Sequence, residues 1–272
     1  MPAAEPISDR TADLELVSQA AREAGEIALR YFRRAPKMWT KGLDSPVTEA
    51  DIAADRFLFD RLIGARPAYG WLSEETVDTA ERLQRQRIFV VDPIDGTRGF
   101  IEGNPDWCVS VAIVEAGRPV VAGLAVPARE EWFVAAAGGG AFLNGMRLAP
   151  ISEPDRLALR NAGPARYMRA LADSGFGVLE RRVTPSLAYR IALVAAGRLD
   201  VAAASPNAHD WDLAAADLLV HEAGGLLCAA AGGPVAYNRA EPRHGALVAG
   251  APGLVEAAGP IIAEAERRRS GL

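Results

Sequence analysis

Cysteine and histidine are scarce in this chain of 272 residues, which contains two cysteines and three histidines. Cys108 and Cys228 are far apart, and each lies within an apolar segment. This spacing excludes a cysteine-based zinc site and gives no sign of a secreted disulfide framework. We therefore predict that both cysteines are buried free thiols.

Long apolar runs and an excess of basic charge are also missing. The sequence has no stretch of about 18 consecutive apolar residues, which excludes a typical transmembrane helix. Segment 1–10 is polar and lacks the apolar core of a signal peptide, so a cytoplasmic location is expected. The formal net charge of −5 argues against nucleic acid or an anionic membrane as the main partner.

Apolar periodicity predicts two helices at the start of the chain. An apolar residue recurs about every 3.6 positions from Thr11 to Arg33, as in a long amphipathic helix. After a loop from Pro36 to Pro46, a second helix is predicted from Thr48 to Leu62. Its first turn places Thr48 and Asp51 at the spacing of a capping box.

Short segments rich in valine or aromatic residues follow, separated by Gly or Pro, and they predict strands. These strands are expected at 88–91, 107–114, 119–126, 131–136 and 141–148. Asn144-Gly145 is typical of a type I′ hairpin turn. Such tight turns predict an antiparallel sheet that packs on the two helices.

After about Pro150, predicted strands alternate with predicted helices, as in an α/β layer. The strands are expected at 157–161, 199–204, 226–228 and 246–249, and the helices at 164–173, 186–197, 212–223 and 252–268. We therefore expect an α+β lobe over residues 1–150 and an α/β lobe over residues 151–272.

The segment Asp92-Pro93-Ile94-Asp95-Gly96-Thr97 follows the apolar run Ile88-Phe89-Val90-Val91 and carries the clearest chemical signal. Two carboxylates three residues apart on a constrained turn suit a hard cation such as Mg²⁺, Mn²⁺ or Ca²⁺. The Gly-Thr pair that follows offers backbone amides and a hydroxyl to a phosphate oxygen or a water. The segment therefore indicates metal-assisted phosphoryl chemistry.

Other acidic residues have structural explanations when each is taken alone. Asp51 could serve only to complete the capping box, Glu74 and Glu75 could form an exposed turn or a helix start, and Asp212 could serve only to cap a helix. Their combination with the hexapeptide favours a shared site, because strand ends and helix starts are where α/β proteins bind ligands. The hexapeptide differs by one inserted residue from the Asp-x-Asp-Gly-Thr signature of haloacid-dehalogenase phosphatases, and we reject that assignment.

Four motifs in order carry a family resemblance. They are Ser45-Pro46-Val47-Thr48-Glu49-Ala50-Asp51, Ser73-Glu74-Glu75-Thr76, Asp92 to Thr97, and Trp211-Asp212-Leu213-Ala214-Ala215-Ala216. Over most of its length the chain resembles the inositol monophosphatase superfamily of lithium-sensitive, Mg²⁺-dependent phosphatases. The resemblance implies a layered αβαβα sandwich of the inositol monophosphatase and fructose-1,6-bisphosphatase type. It also implies a homodimer and a small-molecule phosphate ester as the partner.

The resemblance also implies roles for individual residues. The groups expected to bind two activating Mg²⁺ ions, or Mn²⁺ in their place, are Glu74, Asp92, the backbone carbonyl of Ile94, Asp95 and Asp212. Asp51 would hold a third, weaker ion through water. Asp51, Thr97 and Glu74 are the implied catalytic residues: Asp51 and Thr97 would orient the attacking water, and Glu74 would bind the activating metal. The amides of Gly96 and Thr97 would bind the phosphate.

The choice of phosphate ester depends on three further residues. Inositol monophosphatases usually carry a glutamate seven residues before the Trp-Asp aspartate, where it contacts ring hydroxyls, and this chain has Ser205 there. Arg190 could meet a second phosphate or could be a helix-surface arginine. His209 could line the substrate pocket or could be a loop histidine without a role.

Two stretches resemble the 3′(2′),5′-bisphosphate nucleotidase branch: Asp44-Ser45-Pro46-Val47-Thr48 and Ser186-Leu187-Ala188-Tyr189-Arg190. We therefore predict adenosine 3′,5′-bisphosphate as the substrate, with inositol 1-phosphate as one alternative. Arg98 and Phe100-Ile101 also resemble histidinol-phosphate phosphatases, which gives a second alternative. A non-catalytic binding or regulatory protein on the same scaffold is the rival hypothesis, although a degenerate copy would be expected to lose a metal ligand.

Overall fold

The computed structural model describes residues 7–41 and 45–270. Seven helices form within this part of the chain: α1 (Ile7–Leu29), α2 (Glu49–Ala65), α3 (Thr97–Ile101), α4 (Ala165–Asp173), α5 (Leu187–Ala195), α6 (Asp210–Glu222) and α7 (Pro252–Ser270). Helices α1 and α2 confirm the two predicted N-terminal helices. The predicted capping box is present, since the backbone N–H of Thr48 donates to Asp51 Oδ2 over 2.8 Å.

Fourteen strands form over the same residues. They are β1 (Met38–Lys41), β2 (Ser45–Thr48), β3 (Gly70–Ser73), β4 (Arg87–Asp95), β5 (Cys108–Glu115), β6 (Arg118–Val126), β7 (Glu131–Ala136), β8 (Gly140–Leu143), β9 (Met146–Arg147), β10 (Leu159–Ala162), β11 (Val178–Arg181), β12 (Val201–Ala204), β13 (Leu226–Ala229) and β14 (Leu247–Gly250). One sheet runs in order from β3 to β9, and a second has the order β11-β10-β12-β14-β13. Strands β1 and β2 form a separate antiparallel pair.

The helices and the two large sheets stack in five layers. Helices α1 and α2 cover one face of the seven-stranded sheet, α5 and α6 fill the space between the sheets, and α4 and α7 cover the outer face of the five-stranded sheet. On β4, Phe89 and Val91 pack toward α1 and α2, whereas Ile88 and Val90 pack toward α5 and α6. Because both faces of β4 are buried, its residues 88–91 form a continuous apolar run. This arrangement confirms the predicted αβαβα sandwich.

The sequence-based prediction of strands is wrong for several short strands at sheet edges. The segment predicted as a loop contains β1 and the start of β2, which continues to Thr48, the residue predicted to begin the second helix. Residues 42–44 between the two strands lie outside the described residues. Strand β3 was not predicted and pairs in parallel with β4, although the rest of that sheet is antiparallel. All four residues of β11 are exposed, so this strand lacks the apolar alternation from which strands are predicted.

The two large sheets fall on either side of Pro150, but they share a core. The seven-stranded sheet ends with Arg147 and the five-stranded sheet begins with Leu159. Helices α5 and α6 pack against both. The division into lobes 1–150 and 151–272 therefore stays a prediction. None of the described helices combines the length and apolarity needed to cross a bilayer.

Candidate metal centre

A bulge near the end of β4 places two carboxylates on one face of the sheet. The predicted strand stops at Val91, whereas the observed strand continues to Asp95. Asp92 pairs with Ser110 and Asp95 pairs with Cys108, so β4 has one more residue in this interval than β5. Side chains alternate along a regular strand, so residues three apart would point to opposite faces. The extra residue brings both aspartates to the same face.

Pro93 and Asp92 explain why the ladder breaks at this position. Proline has no backbone N–H to donate to β5. The backbone N–H of Ile94 donates instead to Asp92 Oδ1 over 3.0 Å. The bulge is therefore encoded locally, and Asp92 helps to stabilise it.

Three carboxylates converge at the bulge. One oxygen from each of Asp92, Asp95 and Asp212 lies within 4.8 Å of the other two. Asp212 reaches the cluster from the first turn of α6, where its Oδ2 accepts a hydrogen bond from the backbone N–H of His209 over 2.7 Å. Asp212 thus both caps its helix and joins the cluster, which unites its two sequence-based interpretations.

Asp95 is held in place by the start of α5. Its Oδ2 accepts hydrogen bonds from the Ser186 hydroxyl over 2.5 Å and from the backbone N–H of Ala188 over 2.6 Å. Ser186 is itself the N-cap of α5. Gly96 fits beside this contact because its φ is +94° and a Cβ there would lie 3.0 Å from the backbone nitrogen of Ser186. This supporting role of Ser186 is not predicted from the sequence.

Asp51 and Thr97, the residues predicted to orient the attacking water, contact each other beside the cluster. The Thr97 hydroxyl lies 3.3 Å from Asp51 Oδ1 and 2.9 Å from the backbone oxygen of Ile94. Asp51 Oδ2 also accepts hydrogen bonds from the backbone and side chain of Thr48. The capping box therefore fixes one carboxylate oxygen while the other faces Thr97.

The electrostatics of the cluster are unfavourable without a cation. Burial, followed by repulsion from Glu74, Asp95 and other nearby acids, raises the pKa of Asp92 well above its usual range. Burial raises the pKa of Asp95 to about 6, although hydrogen bonds from Ser186 and Ala188 oppose the shift. Burial and repulsion from Asp95 and Glu74 raise the pKa of Asp212 well above its usual range.

This set of donors fits a hard divalent cation. It offers oxygen ligands alone, and their accumulated negative charge is the charge that a divalent cation neutralises. Neighbouring buried acids also raise one another's pKa, so the cluster is costly to keep ionised unless a cation binds. Glu74 lies outside the group of three but acts electrostatically on two of its members, Asp92 and Asp212.

Comparison with known proteins agrees with this geometry. A sequence profile of the inositol monophosphatase family matches residues 9–267. The chain belongs to this family. It is therefore a member of a family of phosphatases, and the four sequence motifs that predicted the family lie within the matched range.

Individual family members cover most of the chain. Inositol monophosphatase 2 of Solanum lycopersicum is 34% identical over 228 residues, which cover 79% of this chain and 86% of the tomato protein. Inositol-1-monophosphatase of Rhizobium meliloti is 35% identical over 238 residues, 82% of this chain and 88% of that protein. The crystal structure of the extragenic suppressor protein suhB from Bartonella henselae has a TM-score of 0.80 at 30% identity and covers 92% of this chain and 98% of its own.

Each of the three candidate substrate residues of this inositol monophosphatase family member contacts other protein groups. Arg190 is half-buried, and its guanidinium donates to the backbone oxygens of Thr184 at 2.7 Å and Ala203 at 3.2 Å. Burial lowers the pKa of Arg190, and the charge of Asp95 opposes that shift. Arg190 is therefore not a solvent-exposed surface arginine. Its contact with a second phosphate stays a prediction.

Ser205 and His209 each have a protein partner. The Ser205 hydroxyl accepts a hydrogen bond from an Nη of Arg166 over 3.0 Å. His209 stacks on Trp211 with 4.4 Å between ring centroids, and its Nε2 accepts from Arg243 over 3.1 Å. Sequence reasoning missed Arg166, because it belongs to no local motif and is one of 30 basic residues.

The two cysteines take no part in a disulfide. Cys108 is buried and Cys228 is half-buried, so the prediction of buried free thiols is confirmed for Cys108 and is too strong for Cys228. Burial, with the charge of Asp95, raises the pKa of the Cys108 thiol well above its ordinary value. The thiol therefore stays protonated beside the cluster.

Proposed function

We propose that this phosphatase hydrolyses a small phosphate monoester with the help of Mg²⁺, using water as the nucleophile. The observation that carries the proposal is the convergence of Asp92, Asp95 and Asp212 within 4.8 Å. Glu74, Asp92, Asp95, Asp212 and the carbonyl of Ile94 would hold the ions. When bound, Mg²⁺ would neutralise the phosphate and lower the pKa of a bound water.

The chain's own residues would orient water and phosphate. Asp51 and Thr97, in contact over 3.3 Å, would hold the attacking water by accepting hydrogen bonds from it. The backbone amides of Gly96 and Thr97 would donate to phosphate oxygens. No protein nucleophile is required, because positioning and electrostatic stabilisation do most of the work in phosphoryl transfer.

Adenosine 3′,5′-bisphosphate is our first candidate for the substrate. The position of the glutamate that contacts ring hydroxyls in inositol enzymes is occupied by Ser205, whose hydroxyl is bound by the guanidinium of Arg166. A hydroxyl beside a cation favours a second anionic group over a vicinal diol. Arg166 also pairs with Glu266 over 2.9 Å, so part of its charge is already matched.

Inositol 1-phosphate is the second candidate, because two relatives about one-third identical to this chain are named as inositol monophosphatases. Histidinol phosphate is the third. The deciding experiment compares kcat/KM for the three esters under the same Mg²⁺ concentration. Preference for adenosine 3′,5′-bisphosphate is expected. Preference for either other ester would overturn the substrate assignment, and no release of phosphate from any ester would overturn the proposed chemistry.

A matched pair of variants tests the role of position 205. Ser205→Glu restores the carboxylate of the inositol enzymes and should shift the kcat/KM ratio toward inositol 1-phosphate. Ser152→Glu adds the same charge at an exposed serine and should leave the ratio unchanged. Equal ratios in all three proteins would show that position 205 does not select the ester.

The homodimer and the cytoplasmic location remain predictions from the resemblance and from composition. Sedimentation velocity of the purified protein at several concentrations measures the oligomeric state directly. A monomer at all concentrations would contradict the predicted dimer.

A further inference from the structure

We propose that Asp55 is a positioning residue that holds Glu74 against the metal centre, an inference that rests on the proposed function. Asp55 lies on α2, one helical turn after Asp51, so the two side chains point from the same side of the helix. Asp51 contacts Thr97 beside the cluster, whereas Asp55 contacts the segment that carries Glu74. The same face of α2 therefore contacts both Thr97 and the segment that carries Glu74.

Both oxygens of the Asp55 carboxylate are bound by hydroxyls from the motif Ser73-Glu74-Glu75-Thr76. Ser73 Oγ donates to Asp55 Oδ1 over 2.5 Å, and Thr76 Oγ1 donates to Asp55 Oδ2 over 2.9 Å. The two donors lie on either side of the Glu74-Glu75 pair. A carboxylate accepts two hydroxyl hydrogen bonds with its two oxygens, and charge-assisted bonds of this kind are strong.

The backbone of the same turn is anchored at two further points. The backbone N–H of Glu74 donates to the oxygen of Val91 over 3.2 Å, which ties the turn to β4 just before Asp92. The backbone N–H of Glu75 lies 3.4 Å from Ser73 Oγ. Ser73 is buried, with 2% of its surface exposed, so its hydroxyl has little freedom to find water instead. The turn is therefore fixed from β4 and from α2.

Glu74 needs such support because its own neighbours repel it. Its charge contributes to the raised pKa of both Asp92 and Asp212, so the repulsion acts on Glu74 as well. An unsupported side chain would relieve this repulsion by turning toward solvent. A turn held by Asp55 keeps the carboxylate in place before a cation arrives, and such preorganisation strengthens binding.

Direct metal binding tests the inference without relying on turnover. Free Mn²⁺ is measured by electron paramagnetic resonance as it is titrated into the purified protein without substrate. Asp55→Ala should weaken Mn²⁺ binding by about 10- to 100-fold, the usual effect of removing a residue that supports a metal ligand. The matched control is Asp60→Ala, because Asp60 is an exposed acid on the same helix and should leave binding unchanged.

A double-mutant cycle asks whether Asp55 acts through the turn. Ser73→Ala should also weaken Mn²⁺ binding, and Asp55→Ala should cost less on top of it than it costs alone, because only the hydrogen bond from Thr76 is then left to lose. Asp55→Asn keeps an acceptor for one hydroxyl and a donor for the other, so it should bind Mn²⁺ more tightly than Asp55→Ala does. The asparagine variant also replaces Asp55→Ala in the test if the alanine variant fails to fold. Fully additive losses, or binding in Asp55→Ala equal to that of the wild type, would overturn the positioning role.

Asp92→Asn separates failure of this inference from failure of the proposed function. If Asp92→Asn weakens Mn²⁺ binding and Asp55→Ala does not, the metal centre stands and the positioning role falls. If neither variant changes binding, the metal centre itself is refuted. A positioning role also predicts that Asp55→Ala raises the Mg²⁺ concentration for half-maximal activity and that saturating Mg²⁺ restores turnover.

Discussion

Replacing Asp95 by asparagine should make the metal-free protein more stable. Burial raises the pKa of Asp95 to about 6 from an ordinary value of 3.8. The folded state therefore holds its proton more tightly than the unfolded state, and the free energy of unfolding falls as the pH rises from about 4 to about 6. This difference in the pKa of Asp95 lowers the free energy of unfolding by about 3 kcal/mol at pH 7.5, compared with a pH at which Asp95 is protonated. Asparagine has no charge to lose, and its side-chain oxygen can still accept from Ser186 and Ala188.

The assay is urea unfolding at pH 7.5 in EDTA and again in Mg²⁺. In EDTA, Asp95→Asn should be more stable than the wild type by up to about 3 kcal/mol. In Mg²⁺ the difference should shrink or reverse, because the cation stabilises the wild-type cluster by binding the folded state. Asp60→Asn, at an exposed position, is the control and should change neither value. If Asp95→Asn is less stable than the wild type in EDTA, the electrostatic reasoning is refuted.

Three further predictions follow from the same geometry. Asp92→Asn should lower kcat by at least about 100-fold while circular dichroism stays unchanged, because metal charge stabilisation is worth several kcal/mol; unchanged turnover would contradict the ligand role. Gly96→Ala should lower the thermal midpoint in EDTA and in Mg²⁺ alike, since its φ is +94° and its Cβ would press on Ser186. Leu58→Ala, fully buried between α2 and the sheet, should cost about 2 to 5 kcal/mol in urea unfolding.

The acidic residues of the site were predictable because their local sequence is constrained. Pro93 and the neighbouring aspartates mark a break in an otherwise apolar strand, and Asp212 follows a tryptophan at a helix start. The sequence indicated a turn between Asp92 and Asp95, whereas the structure has a bulge within one strand. The two differ only in backbone pairing, which depends on the partner strand β5. The predicted metal site is the same in both cases, because either geometry brings the two carboxylates together.

The supporting residues were not predictable for a different reason. Asp55, Ser186 and Arg166 act through side-chain hydrogen bonds, among them bonds to Ser73, Asp95 and Ser205, which lie 18, 91 and 39 residues away, respectively. Such residues carry no local signature, since an aspartate on a helix or an arginine near a helix start is usually a surface residue. Only the three-dimensional arrangement shows which ones turn inward.

The conflict between burial and charge at the cluster is itself an argument for its function. Stability would favour apolar residues at Asp92 and Asp95, which are 1% and 7% exposed in the middle of a packed layer. The fold instead surrounds them with hydrogen-bond donors. The donors at Asp95 oppose its raised pKa, and so does the charge of Arg190. These groups favour the ionised form that a cation requires without neutralising the cluster. Such a local cost is expected where a fold is built to bind, and the divalent cation is the partner that this charge selects.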